Sequence, residues 1–214
     1  MQRFMVFIFI IILGLAIYAP AQQCGPGCPV CSGSGSSTGA LLPSGTMVST
    51  IMSIPNGEDE TAVLNLRAGV TSWLDVGLGY TVKSKEPIWS VRLQPIAEDE
   101  SSWRPAVILG TGSVQTGGSD QSVFVQLTKA FDFGEEIRAR FSIGAASLLP
   151  DLDKGYFLAG LTMTVTERWS PFLSYDGRNF HVGLSWIPKD WLFIAGLIVE
   201  MKYPAILVGH RWSF

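Results

Sequence analysis

Residues 137–144 read IRARFSIG: Ile137, Ala139, Phe141 and Ile143 alternate with Arg138, Arg140, Ser142 and Gly144. Period two sends alternate side chains to opposite faces of a strand. One face of this strand is greasy and the other carries two arginines. The pattern recurs along the chain. Leu74, Val76, Leu78 and Tyr80 alternate with Asp75, Gly77, Gly79 and Thr81. Ala62, Leu64, Leu66 and Ala68 alternate with Thr61, Val63, Asn65 and Arg67. Residues 156–165 do the same, with Phe157, Ala159, Leu161, Met163 and Val165 on one face.

Twelve such segments are predicted, at 46–54, 61–71, 73–83, 88–96, 103–114, 121–131, 136–146, 156–166, 169–176, 178–187, 191–200 and 205–214. Most are about ten residues long, the length a tilted strand needs to cross a bilayer. The breaks are turn-rich, as at Pro55-Asn56-Gly57, Asp176-Gly177 and Pro188-Lys189-Asp190. Many strands of this kind form either a soluble sandwich, with the apolar face between two sheets, or a membrane barrel, with that face against lipid.

The aromatic residues separate the two. If the chain zigzags, Trp73, Trp103, Trp169 and Trp191 open strands at one end, and Trp186, Trp212 and Phe214 close strands at that same end. Tyr80, Tyr156, Tyr175 and Tyr203 fall toward the other end, and Trp89 alone breaks the division. Two aromatic rims bounding an apolar band mark the two faces of a membrane. A sandwich has no reason to sort tryptophan from tyrosine by end. The reading is therefore an all-β protein, a closed antiparallel transmembrane β-barrel of about twelve strands. The tryptophan end has the shorter connections, which predicts that it is periplasmic.

Both termini agree. Gly209, Trp212 and the final Phe214 resemble the C-terminal signal by which the barrel-assembly machinery reads bacterial outer-membrane barrels. At the start, Arg3 precedes an apolar run from Phe4 to Ala19. That run is shorter than the roughly 20 residues of a spanning helix. It ends in Ala19-Pro20-Ala21, which predicts a signal peptide over residues 1–21. The expected organisation is signal peptide 1–21, a Cys/Gly/Ser-rich leader 22–44 and a barrel 45–214, in the outer membrane with the leader in the periplasm.

The leader holds all three cysteines, Cys24, Cys28 and Cys31. Beyond the inner membrane thiols oxidise. Gln22-Gln23 before Cys24 do not fit a lipid-attachment box, and the Gly and Pro neighbours do not fix metal geometry. The cysteines are expected to form disulfides with one another or with a partner, an odd number leaving one over.

From Leu41 to about residue 200 the chain resembles the barrel modules of the exopolysaccharide-associated YjbH group. The likeness rests on Leu42-Pro43-x-Gly45-Thr46, Asn65-Leu66-Arg67-x-Gly69-Val70, Trp73-Leu74-Asp75-Val76-Gly77-x-Gly79-Tyr80 and Trp103-Arg104-Pro105-Ala106-Val107-x-Leu109-Gly110. The resemblance implies a connection to envelope polysaccharide rather than a defined reaction.

Strand parity assigns the lumen independently. Arg67, Asp75, Arg92, Gln94, Gln126, Arg138, Arg140, Glu200 and Arg211 share the polar face. A lipid-facing Arg or Lys at mid-depth costs roughly 2–4 kcal/mol, so inward placement is expected. These residues read either as a slot for anionic sugars and other anions or as an interior network pairing Arg67 with Asp75 and Arg211 with Glu200. Lys129 shares the lipid parity near the rim and can snorkel.

The chain offers only His181 and His210 as catalytic bases. His210 reaches Ser49 or Ser53 only if the last strand closes on the first, and no G-x-S-x-G surrounds either serine. No catalytic site, metal site or cofactor is predicted. The formal charge of −3 argues against nucleic acid. The expected partners are outer-membrane lipid, the assembly machinery, and polysaccharide or a small anionic solute. The expected function is a narrow channel, or an accessory in secretion of envelope saccharide. The alternatives are a membrane anchor presenting its Cys-bearing leader to a partner, or a lipid hydrolase at the rim.

Overall fold

A computed structural model of the chain describes residues 41–214, apart from 59, 115–119, 135–136, 151 and 167. The predicted signal peptide, most of the leader and all three cysteines lie outside the described residues.

Twelve strands follow one another: β1 (Thr46–Ser53), β2 (Ala62–Thr71), β3 (Leu74–Thr81), β4 (Pro87–Ile96), β5 (Ala106–Gly112), β6 (Ser122–Phe133), β7 (Ile137–Leu148), β8 (Gly155–Thr164), β9 (Trp169–Tyr175), β10 (Phe180–Lys189), β11 (Leu192–Val199) and β12 (Tyr203–Ser213). Each pairs antiparallel with its neighbours in sequence, and β12 returns to β1 to close the barrel. The closing ladder runs from Thr46↔Ser213 to Ser53↔Ile206, so no sheet edge is left unpaired. Inside hydrocarbon, closure is what satisfies every backbone N–H and C=O of a sheet.

The outer wall is apolar. Ile51, Leu78, Ile143 and Ile206 are exposed, Leu78 by 66%. In water such side chains would each forgo roughly 1.5–3 kcal/mol of burial. In lipid they lie in their own medium. Aromatic rings border this band at both ends. At the mouth that carries Thr46 and Ser213, hereafter the terminal mouth, Trp169 stacks on Trp186 with centroids 5.8 Å apart, and His210 lies 5.2 Å from Trp191 and 4.3 Å from Trp212. Trp103 meets Phe131 there at 5.6 Å. At the far mouth Tyr175 lies 6.5 Å from Phe157 and 4.7 Å from Phe180. Tyr80 and Trp89 are exposed in the same band.

The inner wall is only partly polar. One side is an apolar cluster that includes Val48, Met52, Phe193, Leu197, Val199, Tyr203 and Leu207. A second cluster gathers Ile108, Val114, Phe124, Ala146 and Leu158. Three of the interior rings sit on glycines directly across the ladder: Phe124 on Gly110, Phe172 on Gly183 and Phe193 on Gly209. A Cβ at these glycines would come within 2.5, 2.4 and 1.9 Å of the ring atoms. The interior is therefore a band of polar side chains between two greasy fillings, and the expectation of a polar inner face is corrected. Strand β11 is apolar on both faces (Leu192 to Val199), so alternation of polarity could not show that half of it points inward.

Two residues expected in the aromatic belt are also corrected. Tyr156 pairs with Ala146 on the inner face and packs against the second cluster. Tyr203 is buried in the first. Tyr80 and Tyr175 do face outward at the far mouth.

Candidate functional site

Between the two apolar clusters, the first polar layer is built from β2, β3 and β4. Arg67 and Asp75 face inward from neighbouring strands, and both are buried. The Arg67 guanidinium donates through Nη2 to Asp75 Oδ2. The room for the Arg67 side chain comes from Gly77, which stands directly opposite it in the ladder. A Cβ there would lie 2.6 Å from Arg67 Cγ. Arg92 is across the next ladder from Asp75, buried, with its guanidinium 5.9 Å from the centre of the Phe124 ring. Gln94 on β4, Gln126 on β6 and Thr162 on β8 are further buried polar side chains of the interior. Among the described residues, Arg92 Nε, both amide atoms of Gln126 and Thr162 Oγ1 have no hydrogen-bond partner. Buried polar atoms in that condition are costly unless water or a solute meets them.

A second charged layer closes the terminal mouth. The β4–β5 connection folds so that Glu98 is buried beside the wall. Glu98 Oε1 accepts the Ala130 N–H at 2.7 Å. Its carboxylate also lies 3.5 Å from both Lys129 Nζ and Arg140 Nη1. The Glu98 carboxylate thus supplies the acceptor that β5, beginning at Ala106, does not offer Ala130. Arg138 pairs with Glu100 at 2.6 Å and lies 3.6 Å from Asp132. Lys129 points outward, and its ammonium reaches back to donate to the Asp99 carbonyl at 2.7 Å. That is the snorkelling geometry expected of a long cation at the membrane boundary.

Into this interior comes a segment that parity could not assign. Leu41 and Leu42, the last part of the predicted leader, are buried inside the barrel: Leu42 belongs to the first apolar cluster and Leu41 to the second. The Leu42 N–H donates to Asp75 Oδ2 at 3.1 Å, the oxygen that also takes Arg67. The strap then turns into β1 through Gly45, whose φ of +73° suits glycine. Gly45 N–H donates to the Gly69 carbonyl at 3.0 Å, and the Phe214 N–H donates to the Gly45 carbonyl at 2.9 Å. Against the strap lies Gly69, where a Cβ would stand 2.1 Å from the Pro43 carbonyl oxygen and 2.7 Å from that of Leu42.

Other predicted groupings come apart. Glu200 is not on the inner wall but in the β11–β12 turn, while Arg211 sits at the opposite end of β12, so the expected Arg211–Glu200 pair is ruled out by position. The Glu200 N–H donates to Nδ1 of the buried His181 at 3.0 Å, and His181 Nε2 lies 2.8 Å from Asp176 Oδ2. Both ring nitrogens are thereby engaged at the far mouth, where the three residues tie the β9–β10 and β11–β12 hairpins together. Closure of the barrel does set Ser49 opposite His210 on the outer face. Among the described residues His210 Nδ1 has no hydrogen-bond partner, and its ring rests against Trp191 and Trp212 rather than on an orienting acid. Among the described residues, no three His, Cys, Asp or Glu side chains come together to hold a metal ion.

A closed twelve-stranded sheet, an apolar outer wall and two aromatic girdles define an outer-membrane β-barrel. No family model matches the chain, and no curated protein does. Solved structures do. A KdgM porin superposes with a TM-score of 0.52 at 10% identity, over 79% of this chain and 99% of the porin. A KdgM porin in complex with disordered oligogalacturonate gives 0.54 at 11% identity, over 79% and 99%. An outer-membrane channel from Pseudomonas putida F1 gives 0.46 at 11% identity, over 81% and 97%. At such identities the likeness is one of fold.

Proposed function

We propose that the protein is a narrow outer-membrane channel for small anionic solutes, with acidic saccharides as the favoured class. The observation that carries this reading is the charge balance of the inner wall. Arg67, Arg92, Arg138, Arg140 and Arg211 face inward on the strands; Asp75, Asp132, Glu98 and Glu100 pair with Arg67, Arg138 and Arg140, so that among the described residues Arg92 and Arg211 are the inward arginines with no acid in ion-pair reach. Such an excess in a low-dielectric passage concentrates anions. The unpartnered polar atoms of Arg92, Gln126 and Thr162 suit hydroxylated solutes that offer both donors and acceptors. The fold shared with a porin that has been captured with oligogalacturonate, a polyanionic saccharide, supports the same direction. The resemblance to YjbH-type modules points toward envelope polysaccharide as the physiological context.

The test is the reversal potential of purified barrel in planar bilayers under a potassium chloride gradient. Anion preference is expected, reduced in an Arg92→Gln/Arg140→Gln variant. A cation preference, or the absence of conductance from barrels shown to be folded, overturns the reading.

A further inference from the structure

Two lysines stand on the outer rim of the terminal mouth, and the chain treats them differently. Lys129 on β6 is drawn back onto Glu98 and the Asp99 carbonyl. Lys189, at the end of β10, has no acid in ion-pair reach among the described residues, and its ammonium lies 5.2 Å from the centre of the Trp191 ring. Register places two more polar side chains beside it. Lys189 is opposite Leu192 of β11, Leu192 is opposite His210 of β12, and His210 is opposite Ser49 of β1. We propose that Lys189, His210 and Ser49 form a headgroup site for an anionic phospholipid of the phosphatidylglycerol class. The site is on the outer wall and does not depend on the channel reading.

Depth, size and charge fit this occupant. His210 is the next outward position of β12 after the rim residue Trp212, so the polar row lies where indoles collect, at headgroup level. Adjacent strands are about 4.8 Å apart, so the row from Lys189 to Ser49 spans roughly 14 Å of wall. The lean of Lys189 over Trp191, whose ring is 5.2 Å from His210, shortens that span. A phosphate between Lys189 and His210, with its glycerol hydroxyls toward Ser49, matches it. Nδ1 of His210 is enclosed and has no hydrogen-bond partner among the described residues, which leaves Nε2 to meet a headgroup oxygen. The row holds a cation and hydrogen-bond donors but no carboxylate. A zwitterionic headgroup would bring its own ammonium against Lys189, whereas an anionic one neutralises it. The His210 ring rests on indoles rather than on an orienting acid, so the row can hold a phosphodiester but does not activate Ser49 against it.

The experiment uses the whole chain without its predicted signal peptide, with Trp73, Trp89 and Trp103 changed to Phe. The tryptophans left, Trp169, Trp186, Trp191 and Trp212, all belong to this sector of the rim. Folding is verified by gel mobility before and after boiling. The barrel is placed in phosphatidylcholine vesicles that hold a minor fraction of either brominated phosphatidylglycerol or brominated phosphatidylcholine. One open cation at an interface favours an anionic lipid by about fivefold, and quenching should show a preference of that order for phosphatidylglycerol. Lys189→Gln/His210→Gln should bring the two lipids level. Lys154→Gln, which removes an exposed charge at the far mouth, should leave the preference intact. The ratio of the two lipids within each variant cancels changes in the rings' own fluorescence. If the three-Phe background does not fold, native mass spectrometry of the unaltered barrel in detergent compares retention of the same two lipids, with the same expectations. Equal quenching or retention of the two lipids by the parent overturns the site. So does a preference that survives Lys189→Gln/His210→Gln, or one that Lys154→Gln removes as completely.

Discussion

Arg67 and Asp75 meet inside the barrel across the β2–β3 ladder, and the oxygen that binds the guanidinium is the one that holds the Leu42 amide. The pair is therefore part of the wall and the mooring point of the strap. Removing one partner strands a buried charge. Asp75→Ala should lower stability by about 3–5 kcal/mol, and Arg67→Ala/Asp75→Ala should cost less than Asp75→Ala alone. Urea titrations of the barrel refolding into lipid vesicles measure both. A double variant that costs the sum of the Asp75→Ala and Arg67→Ala losses would show that the pairing contributes nothing beyond the two side chains.

The outer wall makes a prediction that depends on depth. Leu78 lies in β3 on the lipid side. Leu78→Arg should destabilise the barrel by roughly 2–4 kcal/mol in vesicles. Met201→Arg, in the exposed β11–β12 turn, should be close to neutral. The same vesicle titration compares them, and similar costs at the two positions would argue against a hydrocarbon surround.

At the far mouth, burial pushes the Asp176 carboxyl up. The hydrogen bond to His181 and the N–H groups of Asn179 and Arg178 outweigh burial and hold it below the ordinary range. A depressed carboxylate stabilises the fold above its unfolded value, near pH 4, and the contribution is lost as pH falls through the folded value. The β9–β10 turn should therefore loosen only in acid. Hydrogen exchange at the Arg178 and Asn179 amides, corrected for intrinsic rates, should speed up below about pH 4. In Asp176→Ala it should already be fast at neutral pH. Protection independent of pH down to pH 2 would contradict the assignment.

The end of β12 combines two different demands. Gly209 lies under the Phe193 ring, whereas Phe214 is 84% exposed. Gly209→Val should impair refolding even from urea into pure detergent, because the ring must move. Phe214→Ala should refold normally in detergent and fail only where the cellular assembly machinery reads the terminus. Kinetics of the gel-mobility shift, with and without that machinery, separate the two. A detergent defect in Phe214→Ala would move that residue from signal to structure.

The strands were legible because one face of each had to suit hydrocarbon, and a period of two records that requirement directly. Twelve segments were expected and twelve are present. The tryptophans were expected at one rim for the same reason, since amphipathic rings collect where lipid meets water. What remained hidden is what the inside tolerates. An inward residue in a narrow barrel can be polar or apolar, so Phe193, Leu197 and Tyr203 gave no sign of their direction. Glu200 was assigned inward, but the inward residues of β11 are Phe193, Ala195, Leu197 and Val199, so Glu200 falls on the other parity and one residue beyond the strand. The strap was hidden for a different reason: Leu41 and Leu42 adjoin a Gly/Ser-rich leader and show no period. Yet three of the four short motifs quoted from the sequence meet at this spot. Leu42-Pro43-x-Gly45 forms the strap and its turn, Arg67-x-Gly69 its seat, and Asp75-Val76-Gly77 its anchor and the room for Arg67.

The medium around the outer wall can be measured directly. Barrel refolded into vesicles whose acyl chains are brominated at a defined depth reports it through tryptophan fluorescence. Trp89 at one rim and Trp169, Trp186 and Trp212 at the other should be quenched most by bromines near the headgroups and least by those at the bilayer centre. Fluorescence indifferent to bromine at every depth, from a folded chain that stays soluble without detergent, would contradict the membrane barrel.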